Sequence, residues 1–275
     1  MPSVHHHFED AAALRRVEAT LVGAFAAAGY DEIIVPLVED DEVYVRGAEL
    51  KLIQGDRVLG LRADFTGPVA RIVGTRLGDV HGPIRLCYRG ALFRGGRQGW
   101  QAGCELFGVR GAEGDAESIR VALAALDALG VEGARVVLGS VGTLRETVPE
   151  ALDDPTLRRA LDRRDAAALT AHPRLLALLH DRRPDLPLAA VLDALGALDP
   201  QSAARVSIDP AHIREFPYYT GVVFDLYAPG YPRPLGGGGR YDGLCARWGR
   251  ARPAVGFSFD VDVLVRGPTL PDGAA

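Results

Sequence analysis

Residues 208–225 of this 275-residue chain read IDPAHIREFPYYTGVVFD. The end of this segment and the two residues after it predict a β-strand, because Val222, Phe224 and Leu226 alternate with Val223, Asp225 and Tyr227. We expect the glycine run 236–239 to turn the chain before a helix at Tyr241–Trp248 and a final strand at Ala254–Phe259. The run lacks the Gly-x4-Gly-Lys-Ser/Thr pattern of a phosphate-binding loop, so it predicts a sheet turn and no nucleotide cradle.

The sequence before this segment predicts long helices between groups of strands. The predicted helices are 10–28, capped by Asp10 and Gly29, and 115–129, ended by Gly130. The predicted strands are 32–38, with Pro36 marking an edge, 58–61, 84–88 and 134–139. From about 145 to 200, apolar residues at helical spacing lie between prolines and predict a helical insertion. Because the strands come in groups, we expect an α+β fold with a largely antiparallel sheet.

The composition is that of a globular protein with one large domain or one domain carrying an insertion, since 48% of the residues are apolar. A net charge of -5 gives no general attraction to the phosphates of nucleic acid. The three cysteines form no CxxC pair, so they predict neither a zinc site nor disulfides, and the histidines at 5–7 fit a frayed terminus better than a metal site. Without a leader or an apolar run of roughly 20 residues, we expect a cytoplasmic protein with no membrane partner.

The segment 208–225 resembles the histidine-specific signature of histidyl-tRNA synthetases, in which an arginine precedes Tyr-Tyr-Thr-Gly and a strand. Residues 237–244 resemble the glycine-rich stretch of the same family. Further segments resemble, in the family's order, motif 1, the loop after it, the two ends of motif 2 and the start of motif 3: Tyr30–Glu39, Leu61–Thr66, Phe93–Arg94 with Gln101–Glu105, and Pro253–Phe257. The resemblance implies a class II aminoacyl-tRNA synthetase-like catalytic-domain fold over residues 1–267, an antiparallel β-sheet flanked by helices with a helical insertion. We expect a tail at 268–275 and no anticodon-binding domain.

The retained motifs imply a pocket for free histidine. The residues that the resemblance assigns to it are Asp64, Thr66, Arg94, Gln101, Glu105, Arg214, Tyr218 and Tyr219. Carboxylates at Asp64 and Glu105 can accept from the ammonium group or an imidazole N–H, and Arg214 or Arg94 can pair with the carboxylate. Tyr218 or Tyr219 can supply a flat wall with a hydroxyl, and we expect Tyr219 to face the pocket.

Each of these residues also has a structural interpretation. Asp64 fits a simple turn residue, and Arg214 in isolation fits a surface ion pair. Gln101 and Glu105, four positions apart, fit either a solvated helix face or one face of a strand. We favour the site interpretation because the segments occur together in the family's order.

The nucleotide side of the resemblance is incomplete. Arg94 is followed by Gly95 and Gly96, so the acidic residue of motif 2 is absent, and the loop before Gln101 is shortened to about six residues. Val263 stands where motif 3 has an arginine for the triphosphate, with acidic residues just before it. This is the wrong chemistry beside a polyphosphate. We therefore expect no catalytic residues, no cofactor and no metal.

An amino-acid pocket without an ATP site or an anticodon module resembles the ATP phosphoribosyltransferase regulatory subunits, which are synthetase paralogs. That resemblance implies a noncatalytic subunit required for the first step of L-histidine biosynthesis and for its feedback inhibition. The implied partners are a short-form catalytic subunit, in a hetero-octamer, a second copy in a dimer, and L-histidine as ligand. Two alternatives are a truncated synthetase-like enzyme that activates an amino acid and a stand-alone histidine sensor.

Overall fold

The computed structural model describes residues 8–40, 48–149, 154–180, 185–214 and 218–268. Three predicted features lie outside the described residues, wholly or nearly so: the histidine run at 5–7, the middle of the signature at 215–217, and the tail from 268 onward.

The described residues form nine α-helices, a 3-10 turn at Cys245–Arg247 and eleven strands. The helices are α1 Phe8–Ala27, α2 Thr66–Thr75, α3 Gly111–Ala128, α4 Val141–Thr147, α5 Pro155–Asp162, α6 Pro173–Leu178, α7 Leu186–Leu198, α8 Pro200–Ala203 and α9 Val261–Val265. The strands are β1 Asp31–Glu32, β2 Val38–Glu39, β3 Lys51–Gln54, β4 Arg57–Leu61, β5 Ile84–Arg94, β6 Arg97–Phe107, β7 Arg135–Ser140, β8 Val206–Ile208, β9 Val222–Tyr227, β10 Gly236–Arg240 and β11 Ala254–Asp260.

The main sheet has eight strands in the order β1-β5-β6-β11-β10-β9-β7-β8. The six central strands pair antiparallel, whereas the outermost pairs, β1 with β5 and β7 with β8, are parallel. The predicted α+β fold is therefore confirmed, and the sheet is mixed at its two edges. A smaller sheet, β2-β4-β3, lies beside it.

Helices cover one face of the main sheet, and a cleft opens on the other. Helices α1, α3, α7 and α9 enclose the larger core, in which Phe25 packs against Phe257 and Phe259 with ring centroids 5.8 and 6.4 Å apart. On the opposite face α2 and the 3-10 turn pack over a smaller core that includes Phe65 and Tyr88. Successive residues of β9 serve both cores, because Phe224 faces the first and Val223 the second.

The predicted insertion divides between two cores. Helices α4, α5 and α6 form a small separate core around Leu144, Leu161 and Leu175, joined by Ala211 from the segment that precedes β9. Helix α7 instead packs against α3 and adds Leu188 and residues beyond it to the main core. The loop 209–214 is thus held between the insertion and the sheet.

The glycine run was wrongly predicted as a turn. Gly236–Arg240 is strand β10, paired on one side with β9 and on the other with β11. A Cβ on Gly239 would lie 2.5 Å from the carbonyl oxygen of Val222 and 3.0 Å from the Tyr219 ring, and one on Gly238 would collide with the backbone of β11. Glycine occurs here because neighbouring groups approach the strand too closely for a side chain.

Several boundaries also differ from the prediction. Asp10 lies inside α1 and does not cap it, although Gly29 ends this helix with a φ of +84° as expected. Helix α3 begins at Gly111, four residues before the predicted start at Asp115, whose side chain instead accepts from Arg240. The predicted helix after Tyr241 is only the short 3-10 turn.

The predicted edge strand 32–38 is reduced to two short strands in different sheets. Between these two strands, Nη1 of Arg62 donates hydrogen bonds to the carbonyl oxygens of Val35 and Pro36 at 2.8 and 3.0 Å. These carbonyl groups are therefore not used in a β-ladder, and Pro36 has no N–H to donate to one.

Candidate functional site

A cleft of about 1400 Å³ lies on the open face of the main sheet. All eight residues assigned from the sequence line it: Asp64, Thr66, Arg94, Gln101, Glu105, Arg214, Tyr218 and Tyr219. They come from four places in the chain: the start of α2, the hairpin of β5 and β6, the loop before β9, and the Tyr-Tyr pair that follows it. The fold therefore brings together what the sequence separates by up to 155 positions.

Strand β6 places two of these side chains on one face. Gln101 and Glu105 lie four residues apart within β6 and both reach the cleft, which excludes the helix-face alternative. Both are buried, at 7% and 1% exposure. Gln101 donates from Nε2 to the hydroxyl of Ser258 on the neighbouring strand at 2.8 Å, and no hydrogen bond to its Oε1 occurs within the described part of the chain.

Glu105 is enclosed by three hydroxyl groups. Thr66 and Tyr88 donate to its Oε1 at 2.7 and 3.2 Å, and Tyr241 donates to its Oε2. Burial raises the pKa of Glu105 from 4.5 to about 7, although the three hydroxyls favour the carboxylate and oppose the rise. The carboxyl group is thus fixed in position and titrates near neutral pH.

Gly256 makes room for this carboxyl group from the neighbouring strand. A Cβ at Gly256 would lie 2.7 Å from Cδ of Glu105. The register pairs Gly256 directly with Glu105, so no side chain at this position can avoid the carboxylate.

Asp64 is both a turn residue and a residue of the cleft wall. Its Oδ1 accepts from the backbone N–H of Gly67 at 3.0 Å, as the turn interpretation expects, while its side chain lines the cleft. Burial raises the pKa of Asp64, and nearby Arg94 and Arg62 act in the opposite direction. Two carboxyl groups with raised pKa values, Asp64 and Glu105, therefore face one cavity.

The guanidinium of Arg62 fixes the segment before α2. It stacks over the ring of Phe65 at 3.7 Å, and Phe65 stacks in turn on Tyr88 with ring centroids 4.3 Å apart. Arg62 also donates to the carbonyl oxygen of Ala91 on β5. The segment that carries Asp64 is therefore held to the strand that carries Arg94.

Arg214 also lines the cleft and is paired with a carboxylate of the protein itself. Its Nη1 donates to Oδ1 of Asp225 and to the carbonyl oxygen of Phe224, the latter at 3.2 Å. The other oxygen of Asp225 lies 3.3 Å from Nε2 of His212. Burial lowers the pKa of His212 to about 4, and the positive charge of Arg214 contributes, so this imidazole is neutral near pH 7.

Three tyrosines form an aromatic wall between these groups. Both Tyr218 and Tyr219 line the cleft, with ring centroids 4.9 Å apart, and Tyr218 meets Tyr241 edge to face at 5.8 Å. Tyr219, which we expected to face the pocket, is buried and Tyr218 is half-buried, and both line the same cleft. Neither tyrosine belongs to strand β9, which begins at Val222, so strand alternation does not place them on opposite faces.

The nucleotide side of the cleft differs in character. The predicted six-residue loop is a two-residue hairpin turn, with Gly95 and Gly96 at φ values of +62° and +72° between paired Arg94 and Arg97. Val263 is buried in the main core and does not reach the cleft. Asp260 pairs with Arg233 at 3.0 Å, and Asp262 accepts from the backbone N–H of Trp100 at 2.8 Å.

Four residues of the site were not identified from the sequence. Tyr88 and Tyr241 donate to Glu105, Ser258 accepts from Gln101, and Asp225 pairs with Arg214. Only Asp225 carried a signal, since it is an acidic residue in the middle of an apolar strand. The other three follow from strand register, which the sequence does not give.

The described residues contain no helix that is long and apolar enough to cross a membrane. Within the same residues, no group of three or more His, Cys, Asp or Glu side chains is arranged to hold a metal ion.

Comparison with known proteins identifies relatives over nearly the whole chain. The histidyl-tRNA synthetase family model matches residues 7–186 and 178–264. The ATP phosphoribosyltransferase regulatory subunit of Symbiobacterium thermophilum is 36% identical over 303 residues, which cover 93% of this chain and 76% of the relative. The protein of the same name from Thiobacillus denitrificans is 36% identical, with 92% of each chain covered.

Solved structures agree with the sequence relatives. A crystal structure described as an ATP phosphoribosyltransferase regulatory subunit/histidyl-tRNA synthetase from Bacillus halodurans superimposes with a TM-score of 0.84 at 27% identity, covering 96% of this chain and 82% of that one. The apo histidyl-tRNA synthetase of S. aureus gives a TM-score of 0.74 at 26% identity, covering 96% and 72%.

Proposed function

Because this chain belongs to the ATP phosphoribosyltransferase regulatory subunit family, which has the histidyl-tRNA synthetase fold, we propose that it is the noncatalytic regulatory subunit of that enzyme and binds L-histidine in the cleft. One observation carries the proposal. The cleft has an enclosed carboxylate at Glu105, while the position expected to hold a triphosphate is the buried Val263.

Histidine matches the groups that line the cleft. Its ammonium and imidazole N–H groups are donors, and the carboxyl groups of Asp64 and Glu105 and the amide oxygen of Gln101 are acceptors that line the cleft. Its carboxylate matches Arg214 or Arg94, and the Tyr218 and Tyr219 rings can contact the imidazole. A ligand that lacks one of these groups leaves a buried polar partner unsatisfied, which is the basis of strong selectivity.

Catalysis of amino-acid activation needs positive charge beside the triphosphate. On the side of the cleft where the triphosphate would be expected, the lining residues include Asp260 and Asp262, and Arg233 is already paired with Asp260. We therefore assign no catalytic residue to this chain, and ATP is not its ligand.

The regulatory role requires a partner. We infer a short-form ATP phosphoribosyltransferase catalytic subunit, assembled with dimers of this chain into a cytoplasmic hetero-octamer. Histidine in the cleft then favours an assembly state in which the first step of histidine biosynthesis is inhibited. Coupling of this kind is worth typically about 1–3 kcal/mol.

The first test is isothermal titration of L-histidine, and separately of ATP, into the full chain alone and mixed with the catalytic subunit. We expect histidine binding without ATP binding, and histidine-dependent inhibition only in the mixture. Glu105→Gln is expected to abolish binding, whereas the control Glu49→Gln, an exposed carboxylate on the outer wall of the cleft, is expected to leave it unchanged. Histidine-dependent ATP–pyrophosphate exchange by the purified chain would instead support the amino-acid-activating alternative.

A further inference from the structure

The wall of the cleft formed by Arg214 presents a pair of opposite charges and not a single cation. Arg214 and Asp225 have side chains only 18% and 15% exposed, and both line the cleft. The pair is built into the sheet, since Asp225 lies opposite Gly237 in the register of β9 and β10. A Cβ at Gly237 would collide with both members of the pair, so the absence of a side chain at this glycine provides the space that they occupy.

This arrangement opposes the binding of a carboxylate. A ligand carboxylate that approaches Arg214 also approaches Asp225, whose negative charge cancels much of the attraction at this range. One donor of Arg214, Nη1, is already shared between Asp225 and the carbonyl oxygen of Phe224, whereas the buried Nε has no hydrogen-bond partner among the described residues. A ligand carboxylate that bonds to Nη1 must therefore replace an internal acceptor or share the donor with it, and one that bonds to Nε still lies close to the negative charge of Asp225.

A second neighbour allows Asp225 to release the arginine. Nε2 of His212 lies 3.3 Å from Oδ2 of Asp225 but makes no hydrogen bond among the described residues. The neutral imidazole does not compete with Arg214 for Asp225, and a small rotation would make it a donor to the carboxylate. Arg164 and Asp162 of the insertion are the other charged groups that influence His212.

We propose that Asp225 is a built-in competitor for the ligand carboxylate: its negative charge and its hydrogen bond to Arg214 oppose the approach of an amino-acid carboxylate, and so limit the affinity for amino acids. The proposal rests on the proposed function, because it assumes that histidine is the ligand and that its carboxylate meets Arg214. A carboxylate-free analogue gains nothing from Arg214 and is not subject to this competition. Asp225 is therefore an affinity- and selectivity-determining residue.

The test compares L-histidine with histamine, which keeps the imidazole and ammonium groups but has no carboxylate. Titration calorimetry is carried out on the full chain, on Asp225→Asn and on the control Asp260→Asn, a second aspartate of the cleft that is paired with an arginine. We expect Asp225→Asn to bind histidine about tenfold more tightly, the order of effect of removing one like charge from a half-buried site. Histamine affinity is expected not to increase, and Asp260→Asn is expected to change neither affinity.

Weaker histidine binding by Asp225→Asn would show that Asp225 only positions Arg214, and an equal gain for histamine would show a general charge effect. Either result overturns the proposal while leaving the proposed function intact. Absence of histidine binding to both the unaltered chain and Asp225→Asn overturns the proposed function as well.

Should Asp225→Asn not fold, the double variant Arg214→Gln, Asp225→Asn replaces the pair with two amides of similar shape. There the ratio of histidine to histamine affinity is expected to fall below that of the unaltered chain. An unchanged ratio would mean that the carboxylate does not meet Arg214, which contradicts the proposal.

Discussion

Replacing Glu105 with glutamine should make the protein more stable above neutral pH and change how its stability depends on pH. Burial raises the pKa of Glu105 from 4.5 to about 7, so the folded protein binds more protons than the unfolded chain between these values. Stability therefore falls as the pH rises through this window. Once Glu105 is fully ionised, the free energy of unfolding is lower by about 3 kcal/mol, since each tenfold change in proton affinity corresponds to about 1.4 kcal/mol.

Glutamine removes the titration and keeps the shape. Its carbonyl oxygen can still accept from Thr66 and Tyr88, and its amide can donate to the hydroxyl oxygen of Tyr241. The free energy of unfolding from urea titrations should therefore favour Glu105→Gln over the unaltered chain by an amount that grows by about 2–3 kcal/mol from pH 5 to pH 8. Measuring the difference between the two proteins at each pH cancels the titration of all other groups.

Glu117→Gln is the matched control. Burial raises the pKa of Glu117, but the hydrogen bonds from Arg85 outweigh this effect and lower the pKa. The stability that Glu117 contributes is present above its unfolded-state pKa and is lost only in acid, so its difference curve should be flat between pH 5 and pH 8. Parallel curves for Glu105→Gln and the unaltered chain would refute the argument that Glu105 is ionised at a cost in the folded state.

Three other substitutions test the packing around the cleft. Gly256→Ala should lower the free energy of unfolding by about 1–3 kcal/mol and reduce histidine binding, because the new Cβ meets the Glu105 carboxyl group. An unchanged histidine affinity in titration calorimetry would contradict this. Arg240→Met should cost about 3–5 kcal/mol in urea, because it leaves Asp115 buried without its partner, and adding Asp115→Leu should recover part of the loss. Arg62→Lys should cost about 1.5–3 kcal/mol through its lost hydrogen bonds to carbonyl groups, read as a lower thermal midpoint.

The sequence predicted which residues line the cleft better than it predicted the backbone that carries them. Arg214, Tyr218, Tyr219 and the Gln101–Glu105 segment were identified because each occurs in an ordered set of motifs, and order along the chain is visible in a sequence. The three hydroxyls around Glu105 were not identified. Tyr241 is 136 positions away from Glu105, and its contact exists only once β6, β10 and β11 have their register.

The glycine strand shows a second limit of sequence reasoning. Glycine has low β-propensity, so a run of four glycines predicts a turn when only local preference is considered. In the sheet, the side chains at Arg214, Asp225 and Tyr219 occupy the space above β10 that its own side chains would need. The preference that decides the conformation is therefore tertiary, and it comes from the same residues that line the cleft.

The two ends of the cleft differ in how their polar groups are used, and the proposed function depends on this difference. At the motif 3 end, Asp260 accepts from the backbone N–H of Val263 at the start of α9, and Asp262 ties the same helix to Trp100 of β6. These carboxylates stabilise the connection between helix and sheet, and a phosphate placed beside them would be repelled. At the other end, Glu105 is fixed by hydroxyls that still leave acceptor capacity for a ligand. Restoring an arginine at Val263 alone should therefore not restore ATP binding, because that side chain is buried in the core and the acidic residues beside it would remain.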